Sequence, residues 1–137
     1  MEKLVSIIAV NYNGKDFLED FYNSILNTNE DDFSYEIIVV DNFSKDDSVN
    51  FVKTNFPKIK VIENNIKNYA KAINLGIKNA NGQYIAVLNS NTFVEKNWLK
   101  GLMDIIDQDE KTGVVQSKIL FSDEEMIKSA GVEEIED

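Results

Sequence analysis

The chain has 137 residues and a formal net charge of −10, from 24 acidic and 14 basic side chains. It contains no cysteine and no histidine, which excludes disulfide scaffolds, thiolate or imidazole metal sites, and Ser-His-Asp or Cys-His catalysis. The negative charge predicts no binding to nucleic acid or to an anionic membrane surface, because both need a clustered basic footprint. We expect one domain over residues 1–137 in a cytoplasmic protein that does not span a membrane, since no long apolar segment is present.

Short β-branched runs alternate along the chain with segments of helical periodicity. The predicted strands cover residues 4–10, 35–40, 59–62, 84–88 and 114–121. The predicted helices cover residues 15–26, 44–56, 70–79 and 94–106, with Ser44 as the expected cap of the second and Pro57 ending it. Residues 121–137 form an acidic tail, and we expect either that this tail is partly disordered or that the chain self-associates.

This alternation predicts the α/β class, with a mainly parallel central sheet, helices on both faces and right-handed crossovers. The run from Tyr84 to Leu88 is apolar without polar alternation, which is typical of a strand buried on both faces. We therefore predict that it lies at the centre of the sheet.

Polar residues follow two of these strands directly, as Asp41-Asn42 and as Asn89-Ser90-Asn91. In open α/β sheets ligands bind beyond the carboxyl ends of the strands, so these clusters and residues 10–13 predict one ligand-binding edge. By itself, Asp41 is explained either as the cap of a turn or as an acceptor for a ligand. Neither a GxGxxG dinucleotide fingerprint nor a GxxxxGK[ST] P-loop is present.

Five motifs occur in order along nearly the whole chain. They are residues 5–8 with 10–14; 36–42 with Ser44, Asp46 and Ser48; 70–72 with Asn74 and 76–77; 82–92 with Val94 and 98–99; and 116–120 with 129–131. Together they resemble the family 2 glycosyltransferases. The resemblance implies a Rossmann-like glycosyltransferase-A fold that binds a nucleotide-diphosphate sugar, often with uridine as the nucleoside, for sugar transfer to an acceptor hydroxyl.

The resemblance also implies site residues. The nucleotide-binding positions are Asn11, Tyr12, Asp41, Asn68, Lys71 and Asn89. Tyr12 and Asp41 would face the base and ribose, and Lys71 with the loop before it would lie near the diphosphate. Asn68 stands where the family usually has glycine, which allows close backbone approach.

Asn91 occupies the position of the family's metal-binding aspartate. The family implies Mn²⁺ or Mg²⁺, but an amide supplies no charge to a cation that prefers carboxylates, so we expect little metal dependence here. The family's carboxylate base belongs to a second half beyond the last predicted strand. No residue of this chain matches it, and the catalytic residues are left unassigned.

Several interpretations therefore stay open. The chain is a glycosyltransferase domain that binds a nucleotide sugar, a degenerate non-catalytic binding or interaction module, or the donor half of a larger enzyme. A fourth interpretation, an unrelated doubly wound domain, conflicts with the number and order of the motifs. The identity of the sugar and of the acceptor does not follow from the sequence.

Overall fold

The structure is a computed structural model that describes residues 3–30, 32–120 and 127–129. Six strands and four helices follow one another in these ranges: β1 (Lys3–Asn11), α1 (Lys15–Leu26), β2 (Phe33–Asp41), α2 (Ser48–Asn55), β3 (Lys60–Glu63), α3 (Tyr69–Lys78), β4 (Tyr84–Asn89), α4 (Trp98–Gln108), β5 (Ile119–Leu120) and β6 (Ile127–Ser129). None of the described helices has the length and apolar character needed to cross a membrane.

Four strands form one parallel sheet in the order β3-β2-β1-β4. Its helices lie on both faces, which confirms the predicted α/β class. Along β1, the residues Val5, Ile7 and Ala9 pack with α1, α2 and α4, whereas Ile8 and Val10 pack with α3 on the other face. The strand is apolar almost throughout because both of its faces are covered.

The prediction for the fourth strand is wrong in one respect. Within the described residues, β4 lies at an edge of the sheet and pairs with β1 alone. Tyr84, Ala86 and Leu88 pack against the core, but Ile85 and Val87 are 41% and 43% exposed. An apolar run shows which residues favour burial, but it does not show whether a neighbouring element covers them.

Two helix starts also differ from the prediction. Ser44 does not cap α2, which begins at Ser48 after Asp47, and the Ser44 side chain contacts the loop after β1 instead. The fourth helix begins at Trp98 rather than Val94. In both places the polar residues before the helix make loop contacts, and periodicity alone does not locate such boundaries well.

The last predicted strand is shorter than expected and lies in another sheet. Of residues 114–120, only Ile119–Leu120 form a strand, β5, and it pairs antiparallel with β6 (Ile127–Ser129). Phe121 and the predicted acidic tail, apart from residues 127–129, lie outside the described residues. The predicted disorder or self-association stays a prediction.

A polar cluster joins β1, β2 and the turn before β4 at the amino end of the sheet. The Ser6 hydroxyl donates to Glu36 Oε1 at 2.5 Å and accepts from the Gly82 backbone N–H at 2.8 Å. The Asn81 backbone N–H and side-chain amide donate to the two Glu36 carboxylate oxygens at 2.6 and 3.0 Å. Partial burial alone would raise the pKa of Glu36, but these hydrogen bonds outweigh it, and the pKa lies below its ordinary value.

We predict that Glu36→Gln lowers the free energy of unfolding at pH 7 by about 1–3 kcal/mol, because charge-assisted hydrogen bonds are lost. Since the folded-state pKa lies below the ordinary value of 4.5, the carboxylate stabilises the fold above that pH and the effect disappears as pH falls through the folded pKa. Urea denaturation between pH 7 and pH 3 measures both effects. Glu19→Gln, on the exposed side of α1, is the control, and equal loss in the two variants would contradict the prediction.

Two helical glycines provide a matched pair for the packing of the sheet. A Cβ atom at Gly76 would lie 2.5 Å from Ile8 Cγ2 in the core under α3, whereas one at Gly101 in α4 would meet no atom within 4 Å. We therefore expect Gly76→Ala to destabilise the fold by about 1–3 kcal/mol through overpacking. Gly101→Ala should stabilise it by about 0.5–1 kcal/mol, because alanine is the better helix former. Thermal or urea denaturation checks both signs, and two changes of the same sign would contradict this packing.

Candidate functional site at the carboxyl edge of the sheet

Three strands bring their polar ends to one edge of the sheet. In the parallel register Asn11 lies opposite Asp41, and Val10 lies opposite Asn89. Asn11 Nδ2 donates to Asp41 Oδ1 at 3.0 Å. Asn91 belongs to the turn just after β4, where the Thr92 N–H donates to the Asn89 carbonyl at 3.1 Å. The structure thus gathers the residues that the sequence predicts at this edge.

Asp41 is 5% exposed, and its carboxylate is already engaged within the protein. Besides the bond from Asn11, Asp41 Oδ2 accepts from the Ser44 backbone N–H at 2.9 Å. Its carbonyl accepts from the Asn64 N–H at 2.8 Å, which joins the ends of β2 and β3. The Asp41 side chain and backbone therefore hold the loops at this edge together.

The loops after β1 and β2 are bonded to each other by residues that the sequence analysis did not assign. Ser44 Oγ accepts from the Asn13 backbone N–H at 2.9 Å, and Asn13 Oδ1 accepts from the Lys45 N–H at 2.7 Å. Asn13 and Phe43 have positive φ angles of 49° and 70°. Asparagine enters this region readily but phenylalanine rarely does, so the conformation at Phe43 depends on the contacts around it.

A second set of amides joins the same edge to α3. Asn42 Oδ1 accepts from Asn64 Nδ2 at 3.2 Å and from the Asn68 N–H at 2.8 Å. Asn68 Oδ1 in turn accepts from the Lys71 N–H at 2.9 Å and caps the helix. The Asn68 φ angle of −150° is extended backbone, so the residue needs no glycine-like freedom here. Asn42 and Asn64 follow strands directly, which is the sequence signal by which they could have been found.

Tyr69 is a further residue of this edge that sequence reasoning missed. It is the first residue of α3, and its hydroxyl donates to Asn89 Oδ1 at 2.8 Å across the gap between the helix and β4. Partial burial raises the pKa of Tyr69, so the hydroxyl stays protonated and able to donate at neutral pH. This bond fixes the orientation of the predicted nucleotide-binding residue Asn89.

Aromatic rings and lysines lie together on the surface of this edge. The Lys67 ammonium lies 3.7 Å from the ring centroid of Tyr12, and Lys45 lies 3.6 Å from that of Phe43. Lys71 is exposed in the first turn of α3. Among the described residues, none of these three lysines forms an ion pair with a carboxylate. On a chain of net charge −10, this is a local surface suited to an anion that carries a flat ring.

One buried acceptor at this edge has no partner. Asn11 is 1% exposed, and its Oδ1 atom accepts no hydrogen bond within the described structure. A Cβ atom at Gly14 would lie 2.4 Å from this oxygen and 3.2 Å from Ser90 Oγ, so a larger residue at position 14 would displace the Asn11 side chain. A buried unpaired acceptor is costly, and a ligand N–H or O–H that reached Asn11 Oδ1 would remove that cost.

The donor atoms at this edge do not fit a divalent cation well. Asn91 is exposed and Asn89 accepts from Tyr69, so both contribute neutral amide oxygens. In the part of the chain that the structure describes, no three Asp, Glu, His or Cys residues come together. Mg²⁺ and Mn²⁺ sites are built mainly on carboxylates, and the buried Asp41 is already hydrogen-bonded on both oxygens.

Comparison with known proteins identifies the family of this chain. The model of glycosyl transferase family 2 matches residues 6–131, which is most of the chain. The chain belongs to glycosyl transferase family 2. Its parallel sheet with helices on both faces is the glycosyltransferase-A type of Rossmann-like fold.

Two curated relatives are similar in sequence over part of their length. The dolichyl N-acetyl-alpha-D-glucosaminyl phosphate 3-beta-D-2,3-diacetamido-2,3-dideoxy-beta-D-glucuronosyltransferase of Methanococcus voltae is 27% identical over 112 residues, covering 78% of this chain and 35% of that protein. The poly(ribitol-phosphate) beta-N-acetylglucosaminyltransferase TarS of Staphylococcus aureus (strain Mu50 / ATCC 700699) is 27% identical over 108 residues, covering 75% of this chain and 19% of TarS. The chain thus spans about a third or less of these relatives.

Solved structures agree with the fold. Residues 1–349 of S. aureus TarS in complex with UDP-GlcNAc have a TM-score of 0.68 and 24% identity, with 86% of this chain and 38% of that chain covered. The mannosyltransferase PcManGT of Pyrobaculum calidifontis, in complex with GDP-Man and Mn²⁺, has a TM-score of 0.66 and 19% identity, with 77% and 33% covered. At these identities the likeness shows the fold alone.

The hydrogen bonds of the buried Asp41 carboxylate lead to a prediction about the stability of the loops at this edge. Both Asp41 oxygens face donors, so the NH₂ group of an asparagine would meet an N–H in either orientation. We expect Asp41→Asn to lower the free energy of unfolding by about 1–3 kcal/mol. Urea denaturation measures it against Asp20→Asn, a control on the exposed side of α1. Equal stability of the two variants would mean that Asp41 does not organise these loops.

Proposed function

We propose that this domain binds a nucleotide-diphosphate sugar, with UDP as the nucleotide, at the carboxyl edge of its sheet. The observation that carries the proposal is the combination at one edge of a buried unpaired acceptor, Asn11 Oδ1, with an exposed aromatic ring and lysines outside ion pairs. Membership of the glycosyl transferase family 2 supports it, as does the binding of UDP-GlcNAc by a structural neighbour.

Different residues are proposed to contact the base, the diphosphate and the sugar. The Tyr12 ring, 42% exposed, offers a stacking surface to the base, and Asn11 Oδ1 would accept from a base N–H or a ribose hydroxyl once the loop at Gly14 moves off it. Lys71 and the amide groups around Asn68 lie beside the diphosphate at the start of α3, where the helix dipole also favours an anion. Asn89, held by Tyr69, borders the sugar side of the site.

The reaction that we propose for the transferase is sugar transfer with inversion at the anomeric carbon. The acceptor hydroxyl oxygen attacks the anomeric carbon, its proton passes to a carboxylate base, and the nucleoside diphosphate leaves with the bonding electron pair. Asp41 is not placed as that base, because it is buried and accepts two internal hydrogen bonds. The uncharged donors around Asn91 favour the second candidate, a domain that binds the donor without turnover.

Titration with UDP by calorimetry tests the proposal and, with Mn²⁺, tests the role of Asn91. We expect UDP to bind the wild-type chain with little dependence on Mn²⁺, because the amide adds no charge to a bridging cation. Asn91→Asp should make UDP binding depend on Mn²⁺. Opposite charges about 4 Å apart near a surface interact by roughly 1–4 kcal/mol, or about fivefold to several hundredfold in affinity before desolvation.

Three outcomes separate the alternatives. No UDP binding by either variant, with or without Mn²⁺, would overturn the proposed function. Equal metal dependence in both variants would mean that Asn91 does not lie at the metal position. Hydrolysis or transfer of the sugar, measured by release of UDP from UDP-GlcNAc, separates a transferase from a domain that only binds the donor.

A further inference from the structure

The lysine that covers Tyr12 occupies the surface on which a base would stack. Lys67 Nζ lies 3.7 Å from the ring centroid, and the two residues come from different loops, Tyr12 after β1 and Lys67 before α3. A base stacked on that face, with its ring centroid about 4.5–7 Å from that of Tyr12, would need the space that the ammonium fills. The ammonium and a base therefore cannot cover one face of the ring together.

The contact is weak enough to be replaced. Lys67 is exposed and, among the described residues, has no carboxylate partner, so the ring is what holds its ammonium in place. An exposed cation–π contact changes an equilibrium by only about two- to fivefold. The four-carbon stem lets the ammonium move by several ångströms without any change in the backbone.

We propose that Lys67 makes the site selective for a nucleoside diphosphate over a free nucleoside, by covering Tyr12 when the site is empty and moving to the diphosphate when the base stacks. The inference rests on the proposed function. A nucleoside must displace the ammonium from the ring and supplies no negative charge to which the ammonium could bind. A nucleoside diphosphate displaces it and also supplies negative charge close by, at the start of α3, one turn from Lys71.

The local charges agree with this movement. Lys67 belongs to the loop that begins after Asn64 and ends at the Asn68 cap, so its backbone is anchored at both ends by hydrogen bonds. The Lys67 side chain can therefore move from the ring to the phosphates while its backbone stays in place. Lys71 follows four residues later in the first turn of α3, so an anion bound at the start of this helix would lie near both side chains.

The test compares two lysine variants of the full chain. Lys67→Ala removes the ammonium and its stem, and Lys78→Ala removes the same charge from the opposite end of α3, where no described contact holds it. Uridine and UDP are each titrated by calorimetry. We expect Lys67→Ala to bind uridine about two- to fivefold more tightly than wild type, because no cation must be displaced. The preference for UDP over uridine should fall at least about fivefold, and Lys78→Ala should change neither value.

A spectroscopic measurement follows the side chain itself. In the free protein the ring current of Tyr12 should shift the Lys67 ε-methylene resonances upfield, and Tyr12→Leu should abolish that shift. Saturating UDP should also abolish it in the wild-type chain. Weaker uridine binding by Lys67→Ala, or an upfield shift that persists with UDP bound, would overturn the inference while leaving the proposed function intact. Absence of UDP binding to the wild-type chain would instead overturn the proposed function, and this inference with it.

Discussion

The parallel register of β1 with β2 and β4 is the constraint on which the site depends. Because Asn11 lies opposite Asp41 and Val10 lies opposite Asn89, three strand ends open onto one edge at nearly the same height. A slip of one residue would turn the polar ends toward opposite faces of the sheet. Ile7 and Ile8 pack into separate cores on the two faces and hold that register. The core therefore positions the polar residues at the ends of these strands.

The polar edge has a buried part that is held by hydrogen bonds and an exposed part that carries aromatic rings and lysines. Asp41 and the amides of Asn42 and Asn64 bond the loops after β1, β2 and β3 to one another, out of contact with most of the solvent. Outside this network lie the exposed rings of Tyr12 and Phe43, each covered by a lysine. The proposed donor would thus meet a hydrogen-bonded frame with exposed lysines on it.

The same arrangement bears on the prediction that Asn91 stands at the position of the family's metal-binding aspartate. Apart from the buried Asp41, this edge offers amides and lysines, and no group of carboxylates comes together there among the described residues. In the proposed complex, lysines close to the phosphates would neutralise part of the same charge without a metal ion. Asn91 and the lysine surface are therefore consistent with each other, and neither requires the loss of nucleotide binding.

Periodicity in the sequence was enough to predict the helix from Lys15 to Leu26 and the parallel sheet with helices on both faces, because burial of one helix stripe and of both strand faces follows from side-chain spacing. The abrupt polar ends at Asp41 and Asn89 likewise predicted the edge. The edge position of β4, the separate β5–β6 pair, and the contacts of Ser44, Tyr69 and Lys67 depend instead on which distant segments meet. The local sequence pattern does not show which distant segments pack together, so these contacts are decided by tertiary packing.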